Sequence, residues 1–412
     1  MESIRNIYKT GFGPSSSHTM GPVFAAEEFL IKNPRAESFR VTLYGSLAAT
    51  GRGHLTDKAI VKTLEPYPVE ILWEPHTVLP FHPNGMKFEA LEATGNTAGN
   101  QIYYSIGGGD IVEDGQTFVT GSKQVYDRSN MQDILSWCEQ RGQTYWEYVS
   151  EQEGSGIWDY LADVWETMKE SVKHGLENEG ILPGGLGLQR KAATYHIKAS
   201  GYKASLKSRA LVYAYALAVA EENASGGRVV TAPTCGSSGV LPGVLYHLQN
   251  SYEFTDQKIH KALATAGLIA EIVKTNASVS GAQVGCQGEI GVACAMTAAA
   301  ACQLFGGSDA QIEYAAEMGL EHHLGLTCDP VCGMVQIPCI ERNAFAAVRA
   351  LDANLYSSLS DGKHRVSFDK VVETMRQTGH DLPSLYKETS EGGLAAQMKD
   401  NHLEFNRNQA KS

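Results

Sequence analysis

The 412-residue sequence predicts an α+β chain, with an α/β domain over residues 1–135 and an all-helical domain over residues 136–412. Three observations predict it. Segments that alternate and are rich in strand formers fall in the first third, at 39–46 (FRVTLYGS), 86–92 (MKFEALE) and 100–110 (NQIYYSIGGGD). Two segments with helical spacing, 19–33 and 54–64, lie among them. From about residue 180 onward, Ala- and Gly-rich helical segments take over, broken by Gly/Pro loops.

In chain order, the GGGD at 107–110 reads as a strand-end turn, because it lacks the G-x-G-x-x-G spacing of a dinucleotide fingerprint. Trp137, Trp146, Trp158 and Trp165 recur at loose helical spacing, which predicts amphipathic helices with tryptophans against the core. No Pro- or Ser-rich linker separates the two parts, so they are expected to dock. The loops 182–187, 232–239, 280–288 and 327–334 punctuate the helical part. Its apolar runs, 210–220 and 292–302, fall short of the ~20 residues that span a bilayer and read as packed internal helices. The tail after about residue 382 is polar and reads as a surface helix with a frayed end.

Composition excludes some functions. With 34 basic and 46 acidic residues the net charge is −12, and no basic stripe is available for nucleic acid or an anionic membrane. The first 18 residues lack the charged-then-apolar form of a signal peptide, so the cytoplasm is the expected location. The eight cysteines therefore read as reduced thiols or metal ligands.

Three of these cysteines stand in unusual settings: Cys286 in GCQGEIG, and Cys328 and Cys339 in GLTCDPVCGMVQIPCIERNA. They are 42 and 11 residues apart, unlike the close pairs of structural zinc sites. Thiolates gathered by folding suit an iron–sulfur cluster, and buried free cysteines are the plainer reading. Asn276, Ser278, Gln287 and Glu289 flank Cys286 and could support such a site through hydrogen bonds. Residues 13–22, GPSSSHTMGP, place hydroxyls and His18 where a helix opens. Such a loop can grip a carboxylate, or simply supply Ser16 or Ser17 as an N-cap. His54, in GRGHLTD, is either structural or a base poised near neutral pH, with Asp57 a candidate to orient its ring.

Taken in order, these stretches, with LPGG (182–185) and TAPTCGSSGVLPG (231–243), resemble the single-chain iron–sulfur L-serine dehydratases (L-serine ammonia-lyases). The similarity covers nearly the whole chain. It implies a 4Fe–4S cluster on Cys286, Cys328 and Cys339, to the exclusion of Cys332. It implies a substrate clamp of Ser15, Ser17, His18 and Thr19, and His54 as general base with His18 beside it. L-serine would be the substrate, pyruvate and ammonia the products, and a homodimer the assembly. The N-terminal domain would be related to the allosteric substrate-binding domain of some phosphoglycerate dehydrogenases. The site would then straddle both domains.

The sequence also departs from the family pattern. Relatives often carry Asn where Cys235 stands, and some place a late cysteine on the fourth iron, whereas no cysteine follows Cys339 here. Pyridoxal phosphate is not expected, because Lys191, Lys198 and Lys203 lie in no Schiff-base context. The rival readings are an L-cysteine desulfidase on the same scaffold and a non-catalytic amino-acid sensor with structural metal.

Overall fold

The structure, a computed structural model, describes residues 1–115 and 124–398. Strands β1 (Thr10–Phe12), β2 (Ser38–Tyr44), β3 (Val69–Glu74), β4 (Gly85–Leu91), β5 (Thr97–Gly107), β6 (Asp110–Glu113) and β7 (Arg228–Val230) form two sheets. The larger has the order β3-β2-β4-β5-β6, with β2 and β3 parallel and the other pairs antiparallel. Alternation along β2 turns Phe39, Val41 and Leu43 inward. There they meet Ala25, Ala26 and Phe29 of helix Gly21–Lys32, and Ile60 and Leu64 of helix Thr56–Leu64.

The predicted strands at 39–46, 86–92 and 100–110 are present with shifted ends. The first stops at Tyr44, where Gly45 takes φ +51 and opens helix Gly45–Thr50. A side chain at Gly45 would strike the Pro83 carbonyl oxygen at 2.5 Å. The predicted helix over 54–64 starts at Thr56, which leaves His54 in the preceding turn. Edge strands β3 and β6 were not foreseen. In β3 (VEILWE) every second residue is exposed, which gives a weak apolar signal.

The first twelve residues pack with the helical half. Ile4, Ile7 and Tyr8 are fully buried in its core, Tyr8 donates to the Leu263 carbonyl (2.8 Å), and β1 pairs antiparallel with β7. At the centre of that core lies helix Ile290–Leu304, buried from Ile290 to Cys302. Its small side chains let neighbours come close: a Cβ on Gly319 would sit 2.8 Å from the Ala295 Cα. No single helix among the described residues is long and apolar enough to cross a membrane. Trp137 and Trp165 are buried in this core, and Trp146 and Trp158 pack edge-to-face at its margin.

The tail departs from expectation. Ser384–Tyr386 form a 3₁₀ turn and Gly393–Gln397 a five-residue α-helix, and between them Glu388 and Gly392 are buried. Cys328 N–H donates to the Tyr386 carbonyl, and Glu388 N–H donates to the Cys328 carbonyl, both at 2.8 Å. Backbone pairing, which needs no apolar side chain, overrides the polar composition here. The frayed end foreseen beyond residue 398 lies outside the described residues.

Candidate active site

The loop from Pro14 to Met20 is buried throughout and makes a short π-helical turn over Ser16–Met20. Its cap is Ser15, not Ser16 or Ser17: Ser15 Oγ accepts from the His18 N–H (3.0 Å). Thr19 Oγ1 donates to the His54 carbonyl (2.8 Å) and accepts from the Ser15 N–H (3.3 Å), so it ties this loop to the turn carrying His54. That turn in its turn lies against the cysteine segment. A Cβ at Gly53 would fall 2.5 Å from the Cys332 carbonyl oxygen, so a residue without one is required.

Hydrogen bonds assign both histidine tautomers. The Ser46 hydroxyl donates to the Glu388 carbonyl (2.7 Å), so it accepts from His18 Nε2–H (3.2 Å). His18 Nδ1 is then the acceptor for the Ser17 hydroxyl (2.9 Å). Likewise the Thr50 hydroxyl donates to the Ser46 carbonyl (3.0 Å), so it accepts from His54 Nδ1–H (3.1 Å). His54 Nε2 therefore carries a lone pair, 3.9 Å from Glu388 Oε1. Thr50, not Asp57, orients the ring. The two imidazoles stack obliquely, with centroids 4.4 Å apart, and His18 Nδ1 lies 3.4 Å from the same Glu388 oxygen.

One cavity of about 20 Å³ gathers residues from both halves of the chain. The three cysteines line it together with His54 and Ser15, and so do two carboxyls, Glu289 and Glu388. Cys286 sits on a 3₁₀ turn just before helix Ile290–Leu304, Cys339 is the first residue of helix Cys339–Ser358, and Cys328 lies on the segment paired with the tail. Three separate elements thus bring the thiols to one cavity. Ser17, His18 and Thr19 stand one layer behind the cavity, which only Ser15 of that loop lines.

Comparison with known proteins agrees over the full length. The serine dehydratase alpha chain family matches residues 109–395, and the serine dehydratase beta chain family matches 3–72 and 65–116. The L-serine dehydratase of Haemophilus influenzae is 40% identical, over 97% of this chain and 99% of its own. L-serine dehydratase 1 of Escherichia coli is 40% identical over 97% and 100%, and the L-serine dehydratase of Mycobacterium tuberculosis is 39% identical over 98% and 99%. The chain belongs to the serine dehydratase family.

In this serine dehydratase family member, burial and charge set the protonation of the site. Burial lowers His18 to about 3 and holds His54 well below the ordinary imidazole value, with His18 adding to the effect on His54. Both rings are therefore neutral near pH 7. Burial raises Glu388 well above the carboxylate range, and raises Glu289 to about 8 with help from the Cys286 charge. The Cys286 thiol is lowered to about 6, by a hydrogen bond from Cys328 first and then by the Arg342 charge, against the cost of burial. Its partners move the other way: Cys328 is raised by its bond to Cys286 and by burial, Cys339 by burial and the Cys286 charge.

Three convergent thiols that hold one negative charge, and resist the next two, form a donor set suited to added positive charge. Arg342 supplies part of it. It donates to the Thr327 carbonyl (2.7 Å) and reaches Asp329 Oδ1 (3.5 Å), bracketing Cys328 from the helix that begins with Cys339. Chemically the set fits an iron–sulfur cluster.

Four other cysteines lie elsewhere. Cys332 takes φ +56 and packs with Val331 and Met334, Cys294 and Cys302 lie inside the central helix, and Cys235 abuts the Met20 sulfur at 3.3 Å. Glu388 and Thr50 are the site residues that sequence reasoning missed. The tight packing of Gly392 on Leu385 and of Gly393 on Asp329 would have marked the tail as buried, but a single sequence does not display it.

Proposed function

We propose that the protein is an L-serine ammonia-lyase that converts L-serine to pyruvate and ammonia, with Cys286, Cys328 and Cys339 holding a 4Fe–4S cluster and His54 acting as general base. The observation that carries this reading is that His54, its Nδ1 paired with the Thr50 hydroxyl, lines the same cavity as the three thiols. When bound, the cluster would supply an open iron as Lewis acid for the departing hydroxyl.

The chain's own residues do the rest. His54 Nε2 takes the Cα proton, and its Nδ1–H, anchored on Thr50, keeps the ring in the required tautomer. Ser15 faces the cavity at the mouth of the loop, where its hydroxyl can donate to the substrate carboxylate. Ser17 and Ser46 hold His18 behind His54, and the neutral ring keeps a second positive charge away from the base. Loss of the Cα proton and of hydroxide leaves aminoacrylate. This tautomerises to an imine, and water hydrolyses it to pyruvate and ammonia.

A second reading rests on another donor set. Ligand atoms of His18, His54 and Glu388 lie within 4.8 Å of one another, close enough for a divalent ion. Both nitrogens of His18 are already committed to serine hydroxyls, which favours the proton-handling role. Anaerobic preparation with iron and sulfide counts, beside pyruvate from L-serine and sulfide from L-cysteine, separates the readings. The proposal expects about four iron and four sulfide per chain with serine-dependent pyruvate. An iron-free chain that still consumes serine would overturn it.

A further inference from the structure

Glu388 is held by its backbone from two sides. Its N–H donates to the Cys328 carbonyl (2.8 Å), and its carbonyl accepts from the Ser46 hydroxyl (2.7 Å), so opposite halves of the chain pin one residue. Between those anchors the backbone takes φ +58, a strained value for a residue with a side chain. The residue is 6% exposed and lines the cavity. Oε1 lies toward the two imidazoles, whereas Oε2 is buried with no hydrogen-bond partner. An orphaned acceptor in a buried site is costly unless something arrives to satisfy it.

The other carboxyl in the cavity is already engaged on the protein side: Glu289 Oε1 accepts from Thr234 (2.8 Å), and Oε2 lies 3.8 Å from Cys328 Sγ. A 2-amino acid carrying a hydroxyl brings four groups. On the reading above, Ser15 receives the carboxylate, His54 the Cα proton, and the cysteine side the hydroxyl. The ammonium group, with its positive charge and three donors, still lacks a partner.

We propose that Glu388 binds the substrate's α-ammonium group through Oε2, and so selects 2-amino acids over analogues that lack nitrogen. This inference rests on reading the cavity as the serine site. An ammonium placed beside a carboxyl favours its ionised form, and the charge-assisted contact that results is worth about 10- to 100-fold in affinity.

The test uses the anaerobically prepared holoenzyme and two ligands that cannot be dehydrated, L-alanine and propanoate, which differ only in the ammonium group. Calorimetry on wild type and Glu388→Gln should show L-alanine weakened about 10- to 100-fold and propanoate changed by less than about twofold. Equal losses for both ligands would mean that Glu388 only packs the histidines, and no loss for either, or no preference in wild type, would mean no contact; each overturns the inference. Should Glu388→Gln not fold, Glu388→Asp keeps the charge one methylene short, and an unchanged preference ratio there also overturns it. Pyruvate from L-serine is assayed on the same wild-type sample. A chain that prefers L-alanine through Glu388 yet forms no pyruvate would remove the lyase reading and leave this contact standing.

Discussion

Replacing Thr50 with valine tests the histidine assignment at its root. The Thr50 hydroxyl sits between two partners, accepting from His54 Nδ1–H at 3.1 Å and donating to the Ser46 carbonyl at 3.0 Å. Valine keeps the shape and removes both bonds. The Nδ1–H is then left in a site where His54 is only 1% exposed. An unpaired buried donor costs about 1–3 kcal/mol. The ring can escape that cost by moving its proton to Nε2, the atom that must accept the Cα proton. At about 1.4 kcal/mol per decade, kcat for serine dehydration should fall roughly 10- to 100-fold. KM should stay within about twofold, because the hydroxyl does not line the cavity. Thr50→Ser, which restores the acceptor, should recover most of the loss. The assay is steady-state pyruvate formation, with Cα-deuterated L-serine to show that proton abstraction has become slower. If Thr50→Val turns over serine at the wild-type rate, the tautomer relay is wrong, and with it the assignment of His54 Nε2 as the free base.

The other predictions draw on separate parts of the molecule. Burial raises Glu271 to about 7 from an ordinary 4.5. The folded state therefore holds this proton more tightly, and the stability it contributes is complete below about pH 4.5 and lost as pH rises through about 7. That is of order 3 kcal/mol. Glu271→Gln should accordingly melt higher than wild type at pH 8 and about equally at pH 4.5, by scanning calorimetry; an equal gain at both would rule out the titration as its cause. Cys328→Ser should lose bound iron, whereas Cys332→Ser, at a position that does not line the cavity, should retain it in a colorimetric iron count. Gly53→Ala would force a methyl to within 2.5 Å of the Cys332 oxygen and push the His54 turn off the cysteine segment. Its cost should be about 1–3 kcal/mol in denaturant melts, with a fall in kcat larger than that instability explains.

Local chemistry was readable in this sequence, and meeting points were not. Period-2 and period-3.6 patterns located β2, β4, β5 and the helices that cover them, because one face of each is buried in a shared core. They failed for two edge strands: in β3 every second residue is exposed, and β6 is only four residues long. The SSSH loop announced hydroxyls at a helix start, yet which serine caps it depends on the backbone bond from His18 to Ser15, one residue before the expected cap. The cysteine spacings fit no short-range motif, so only folding could bring 286, 328 and 339 to one cavity.

Glu388 is the clearest case of what composition hides. It stands in a polar run, KETSEGG, that reads as solvated tail by every local measure. Its burial follows from backbone bonds to a segment sixty residues earlier, and from a hydroxyl on a helix near the N-terminus. Those bonds carry no side-chain signature. A buried carboxyl is costly unless partners are waiting, and here two neutral imidazoles stand beside one of its oxygens while the other has no hydrogen-bond partner. The tail thus joins the three places where the chain must act together: the cysteine segment, the histidine pair and the hydroxyls that orient them. A change in any one of these should reach the other two through Glu388 before it reaches the distant cores.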